Sequence, residues 1–116
     1  MKGLQGDTLR GHLEGLVLSV LGSQEFHGFE IMRRLEQRGC GALRLKEGTL
    51  YPVLYRLEKD GYLKARWESD SESAGRRGPR RRLYRLTAKG RQQLDQSRAD
   101  WKQFVTIIGS ILEAPA

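Results

Sequence analysis

The C-terminal quarter of this 116-residue chain is the part hardest to fit into a compact fold. From Ala88 to Glu113 it holds no proline and keeps one helical pattern. Leu94, Trp101 and Ile108 recur every seven residues, and Phe104, Val105, Ile111 and Leu112 fill the positions between them. Thr87 stands where an N-cap belongs. A helix of about 25 residues is roughly 38 Å long, whereas a compact chain of this size has a radius of gyration of about 13 Å. One small domain cannot cover such a stripe. The pattern therefore predicts that the last helix folds back on the first in part and meets a second copy of the chain along the remainder. Residues 88–116 read as a dimerisation helix, appended to a domain spanning residues 1–87.

The charge is equally uneven. Lys and Arg number 21 against 14 Asp and Glu, for a net charge of +7. Residues 76–85 hold six of the arginines and no acid, and without them 15 basic residues face 14 acidic ones. The basic character is thus a local device that attracts polyanions. Arginine fills every basic position of that stretch, and its planar fork grips phosphate or guanine with two bonds. This favours a nucleic-acid contact over a merely solvated loop. Glu68, Asp70 and Glu72 lie just before the patch. They are expected to stand away from the contact surface or in a mobile tip.

Other classes are excluded. The longest nearly apolar stretch, Leu16 to Leu21, falls far short of the roughly 20 residues of a membrane span. Met1-Lys2-Gly3-Leu4-Gln5-Gly6-Asp7 has no secretory apolar region. A single cysteine, Cys40, allows neither an intrachain disulfide nor a cysteine-cluster zinc site, and a reducing cytoplasm is the expected compartment. Cys40 between two glycines reads as an inert thiol. His12 and His27 read as structural. There is no phosphate-cradling glycine loop, nucleophile–base pair or metal-ligand cluster, so neither an enzyme nor a cofactor is expected.

Along the chain, Leu9, Leu13, Leu16, Val17, Val20 and Leu21 follow the 3.6-residue period, predicting a helix over 8–21 capped by Asp7 or Thr8 and stopped at Gly22. Phe29 to Arg38 forms a second helix with Ile31, Met32 and Leu35 on one side. Leu43-Arg44-Leu45 alternates like a short strand. From about Glu47 to Asp60, Leu50, Val53, Leu54 and Leu57 share one helical face. Gly48, Pro52, Tyr55 and Lys59 then point outward, flanked by Tyr51 on one side and by Thr49 and Arg56 on the other. Pro52 is tolerable if the regular helix starts at Thr49. Tyr62 to Trp67 and Arg81 to Thr87 alternate as two strands, with Trp67 as a packing anchor and a flexible loop over 68–80. The order predicts a mainly α fold with a small β-hairpin: a winged helix-turn-helix plus a long C-terminal helix. In such a fold the third helix enters the major groove and the hairpin rides on the backbone or in the minor groove.

Three stretches then carry a resemblance: His27-Gly28-Phe29-Glu30-Ile31; Glu47-Gly48-Thr49-Leu50-Tyr51-Pro52-Val53-Leu54-Tyr55-Arg56-Leu57-Glu58-Lys59-Asp60-Gly61; and Arg81-Arg82-Leu83-Tyr84-Arg85-Leu86-Thr87-Ala88-Lys89-Gly90. Over about residues 9–112 the chain resembles the PadR family of bacterial transcriptional regulators, in its subgroup with a single long C-terminal helix. The resemblance implies a homodimeric winged-helix protein that binds a double-stranded DNA operator, usually as a repressor. It implies that Thr49 and Tyr51 touch DNA with help from the wing arginines. Some members release DNA on binding aromatic or drug-like ligands, and Trp101 occupies a position comparable to an aromatic that lines such a pocket. Two positions depart from the family pattern. Lys46 replaces a small hydroxyl residue and has no acceptor to cap the third helix, though it offers a phosphate contact. Leu83 replaces the first of two aromatics in the hairpin.

The expected DNA surface therefore comprises Lys46, Thr49, Tyr51, Tyr55, Arg56 and Lys59 on the third helix and Arg80, Arg81 and Arg82 on the wing. Arg56 and Lys59 are expected to position the protein on phosphates, and the wing arginines to reach phosphates or the minor groove. Leu94, Trp101, Phe104, Val105, Ile108, Ile111 and Leu112 form the expected dimer interface. The rival class is a basic structural protein that associates with RNA or DNA without sequence preference.

Overall fold

The computed structural model describes residues 11–115, so the expected N-cap at Asp7 or Thr8 and the stripe residue Leu9 lie outside the described residues. Helix α1 spans Leu13–Leu21 and ends at Gly22, whose φ of 54° is a turn that a side chain would strain. Val17, Leu18 and Leu21 are all but sealed from solvent. Leu18 lies outside the expected stripe, because α1 is the central helix and other elements pack around more than one of its sides.

A strand that sequence reading missed follows at once. β1, Phe26–His27, pairs antiparallel with β3 (Arg82–Leu86), matching Phe26 with Tyr84 and His27 with Leu83. β3 also pairs with β2, Leu63–Trp67, in the expected hairpin, with Leu63 opposite Leu86, Ala65 opposite Tyr84 and Trp67 opposite Arg82. The sheet thus has three strands in the order β1-β3-β2. The strand expected at 43–45 shrinks to a single bridge residue, Leu43. Two positive-φ residues, Cys40 and Gly41, turn the chain just before it, and α3 begins soon after, which leaves no length for a ladder.

Helix α2, Gly28–Arg38, buries Ile31 and Leu35. Helix α3, Glu47–Lys59, buries Leu50, Val53, Leu54 and Leu57, the four residues its periodicity selects. It starts at Glu47 rather than Thr49, so Pro52 falls in the second turn. The Gly48 carbonyl then lacks its usual amide partner, on a side where both Gly48 and Pro52 are exposed to water. Lys46 occupies the N-cap without a side-chain hydrogen bond, as its chemistry dictates. The hairpin loop is not structureless. Ser69 opens a four-residue helix, α4 (Asp70–Ser73), through a reciprocal capping box with Glu72.

Helix α5 covers Ala88–Leu112, and the Thr87 hydroxyl accepts from the Gly90 amide at 3.0 Å. Its first turns belong to the core. Gly90 lies tight against the Tyr62 backbone, Leu94 is buried, and Gly15 of α1 faces Ser97. Leu94 is therefore taken up by the chain's own interior rather than lying on the exposed stripe. Beyond it the helix projects, which gives a radius of gyration of 16.4 Å and a longest dimension of 62 Å. The architecture is a mainly helical winged helix-turn-helix with a long C-terminal helix.

Candidate nucleic-acid interface

Because α3 anchors itself through its leucines, its other side is free. Pro52, Tyr55, Arg56 and Lys59 are exposed, with Tyr55 at 67%. Thr49 is half-buried on one flank. Tyr51, on the other flank, is 43% exposed, and its ring closes over Gly28 at the start of α2. Arg56 leans toward α1, where its Nε meets the Glu14 carboxylate at 3.4 Å. Lys46 is exposed at the entry to α3. The helix therefore brings the six residues expected of it onto one rim and outer surface.

The wing is more heavily self-paired than its arginine count suggests. Arg80 pairs with Asp70, Arg76 with Glu68, and Arg82 with Glu58 of α3 at 2.9 Å. Arg82 also lies over the Trp67 ring, 5.3 Å from its centroid. It acts as a strap between the wing and α3. Trp67, expected as a packing anchor, is 58% exposed and serves as the floor for that strap. Arg66 is clamped between Glu25 and Glu72, each at 2.7 Å. That clamp, with the capping bonds of Ser69, holds the Glu72 carboxyl down at about 2. Glu68 is buried, and its carboxylate accepts the Arg81 amide at 2.7 Å. The acidic residues before the arginines are thus tied into the wing. They order the wing.

Sequence reasoning also passed over the base of the wing. His27 caps α2, its Nδ1 accepting the Glu30 amide at 3.2 Å, while its Nε2 lies 2.9 Å from Nη1 of Arg81. Burial, and then the charge of Arg81, lower its pKa below the ordinary imidazole value. The residue pattern His-Gly was visible, but nothing local tied it to Arg81, which is 54 positions away.

Along α5, Trp101, Phe104, Val105, Ile108, Ile111 and Leu112 are all exposed, and Ile107 joins them. Trp101 stacks on Phe104 with centroids 5.8 Å apart, and His12 meets Trp101 edge-on. Together with Gly15, Leu16 and Ser97 these rings line a groove of about 880 Å³ between α1 and α5. Among the described residues no cluster of His, Cys, Asp and Glu is arranged to hold a metal, and no helix is long and apolar enough to cross a membrane.

Comparison with known proteins gives this geometry a family. Residues 17–96 match the model of the transcriptional regulator PadR-like family. The chain belongs to that family. A transcriptional regulator of Mycobacterium tuberculosis, Rv3488, is 36% identical over 98 residues, which cover 84% of this chain and 79% of that one. A PadR-like transcriptional regulator from Bacillus cereus superposes with a TM-score of 0.77 at 28% identity, covering 95% of this chain and all of that one. A transcriptional regulator from Clostridium thermocellum gives a TM-score of 0.78 at 28% identity, covering 90% of this chain and 97% of that one. The protein is accordingly a DNA-binding transcriptional regulator of PadR type and not an enzyme.

Proposed function

We propose that the chain is a homodimeric repressor that inserts α3 of each subunit into successive major grooves of an operator. The observation that carries this reading is the division of α3 into a fully buried leucine face and an outer surface bearing Tyr51, Tyr55 and Lys59. Thr49 and Tyr51 contact base edges or the adjoining backbone, while Lys46, Arg56, Lys59, Arg80 and Arg81 contact phosphates. Arg82 holds the wing on α3. Residues 88–116 join the subunits through Trp101, Phe104, Val105, Ile108, Ile111 and Leu112, an apolar set too large to leave in water. Leu94 supports the helix from within. Two-fold symmetry sets the half-sites about one helical turn apart or a multiple of it. A planar aromatic or drug-like effector is suited to the groove beside Trp101, where binding alters the angle between α5 helices and releases DNA.

The test is footprinting and competition on the promoter upstream of its own gene. Wild-type protein should protect a pseudo-palindrome that excess random duplex or RNA does not displace, and Tyr51→Ala should lose that protection while melting normally. Equal displacement by any polyanion would instead favour the non-specific basic protein. Ile108→Asp should convert a dimer to a monomer in sedimentation. Titration of Trp101 fluorescence with planar aromatics, in a Trp67→Phe background, reports on the effector groove.

A further inference from the structure

We infer that His27 and Arg81 together form a seat for one backbone phosphate of the bound duplex. The inference rests on the proposed DNA-facing role of α3 and deepens it. It starts from proton bookkeeping. A neutral imidazole has one lone pair and one N–H. In the tautomer that caps α2, Nδ1 of His27 uses the lone pair to accept the Glu30 amide at 3.2 Å and the ring proton sits on Nε2. Nε2 faces Nη1 of Arg81 at 2.9 Å, and a guanidinium carries donors only. Two donors, the Glu30 amide and the Arg81 guanidinium, thus contend for the one lone pair of a neutral ring, and keeping the cap leaves the Arg81 contact without an acceptor.

The nearby carboxylates are committed elsewhere. Glu30 is held by Arg33 and Arg34, and the burial and hydrogen bonds around Glu68 commit it to Arg76 and to the Arg81 amide. With the cap kept, no contact among the described residues gives both donors an acceptor. An anionic oxygen bound between Nε2–H and the guanidinium accepts from both at once. The location selects the source of that oxygen. His27 precedes Gly28, over which the Tyr51 ring of α3 is laid, and Arg81 lies at the base of the wing. The converging donors thus border both elements that face the duplex. The Nδ1 cap is kept throughout, so the seat needs no unfolding of α2.

Three measurements on the full chain test this, using a duplex selected from a random library by the wild-type protein. The first is affinity of His27→Asn, which retains a capping acceptor but lacks the ring donor. It should bind about tenfold or more weakly, as expected for losing a hydrogen bond to a charged group, with its melting temperature and salt slope unchanged. The second is Arg81→Gln, whose slope of log affinity against log salt should become shallower by about 0.9 for each subunit, about 1.8 for the dimer on one duplex. In that background His27→Asn should cost much less than on its own. The third is the ring ¹⁵N and ¹H spectrum of wild-type His27. The Nε2–H signal should move on adding duplex and should not move on adding inorganic phosphate. Wild-type affinity in His27→Asn overturns the seat, as does equal loss in both backgrounds or an unmoved ring signal. A response to inorganic phosphate equal to that to duplex overturns the assignment to the DNA backbone. If His27→Asn melts early, the ring spectrum decides. Failure of the wild-type protein to bind any duplex refutes the underlying reading as well, whereas tight wild-type binding with an indifferent His27 refutes the seat alone.

Discussion

Replacing Gly28 with alanine should separate DNA binding from folding. Gly28 is not among the positive-φ residues, so its backbone does not demand glycine. What demands it is Tyr51. A Cβ at position 28 would stand 2.7 Å from the Tyr51 hydroxyl and 2.9 Å from Cε1 and Cζ, where ordinary contact begins at 3.4 Å. The atoms in the way are the far end of a side chain that is already 43% exposed, so the ring can swing outward. The loss is the buried half of an aromatic side chain, about 1 kcal/mol from the roughly 1.5–3 kcal/mol of full burial. Offsetting it is a gain of about 0.4–1 kcal/mol, since alanine narrows the unfolded ensemble. Net stability should therefore change by less than about 1 kcal/mol. Duplex affinity should nonetheless fall about tenfold or more, because the hydroxyl leaves its place beside α2. Fluorescence anisotropy with a labelled duplex measures the affinity and thermal denaturation measures the fold. A Gly28→Ala protein that binds like wild type would remove Tyr51's seat from the DNA surface. One that melts far below wild type would show that the ring cannot move as argued.

Gly90 poses the opposite case. A Cβ there would overlap the Tyr62 carbonyl oxygen, with backbone on both sides, so Gly90→Ala should destabilise by about 1–3 kcal/mol despite alanine's better helix propensity, and should lower the melting temperature by several degrees. Lys46→Ser supplies the missing capping oxygen for α3 and should raise the urea midpoint by an amount equivalent to about 1 kcal/mol. His27, whose pKa is lowered by burial and Arg81, contributes stability that is fully present above the ordinary imidazole value of about 6.5 and lost as pH falls through its depressed folded value. Protonation takes the Nδ1 lone pair from the Glu30 amide. Urea midpoints at pH 7.5 and 5 should therefore fall further in wild type than in His27→Asn, and identical declines would contradict the capping role.

Local pattern was enough for the elements whose partners lie on one face. The four buried residues of α3, the stop at Gly22 and the Thr87 cap all follow from spacing and side-chain chemistry within a few positions. β1 escaped because two residues show no alternation, and its identity depends on Tyr84 and Leu83 far along the chain. The α4 capping box was legible as Ser69 followed three positions later by Glu72, yet the Ser, Gly and Pro content of the surrounding stretch masked it. The α5 stripe was read correctly as too long for one domain, but which of its members the chain keeps for itself depends on where α1 docks, and that settled Leu94. The wing arginines illustrate the remaining limit. Charge composition found the patch. The division of labour within it depends on partners from three elements: Glu58 for Arg82, Asp70 for Arg80 and His27 for Arg81.

The wing's pairing has an electrostatic consequence. Arg76, Arg80 and Arg82 each hold a carboxylate already, so a phosphate that engages any of them has to displace a built-in acid as well as dissolved cations. Exchange of this kind releases fewer small ions per contact than bare arginines would. Long-range attraction is muted, because each paired arginine presents little net charge. Counting arginines therefore overstates the pull that this hairpin exerts on a distant polyanion.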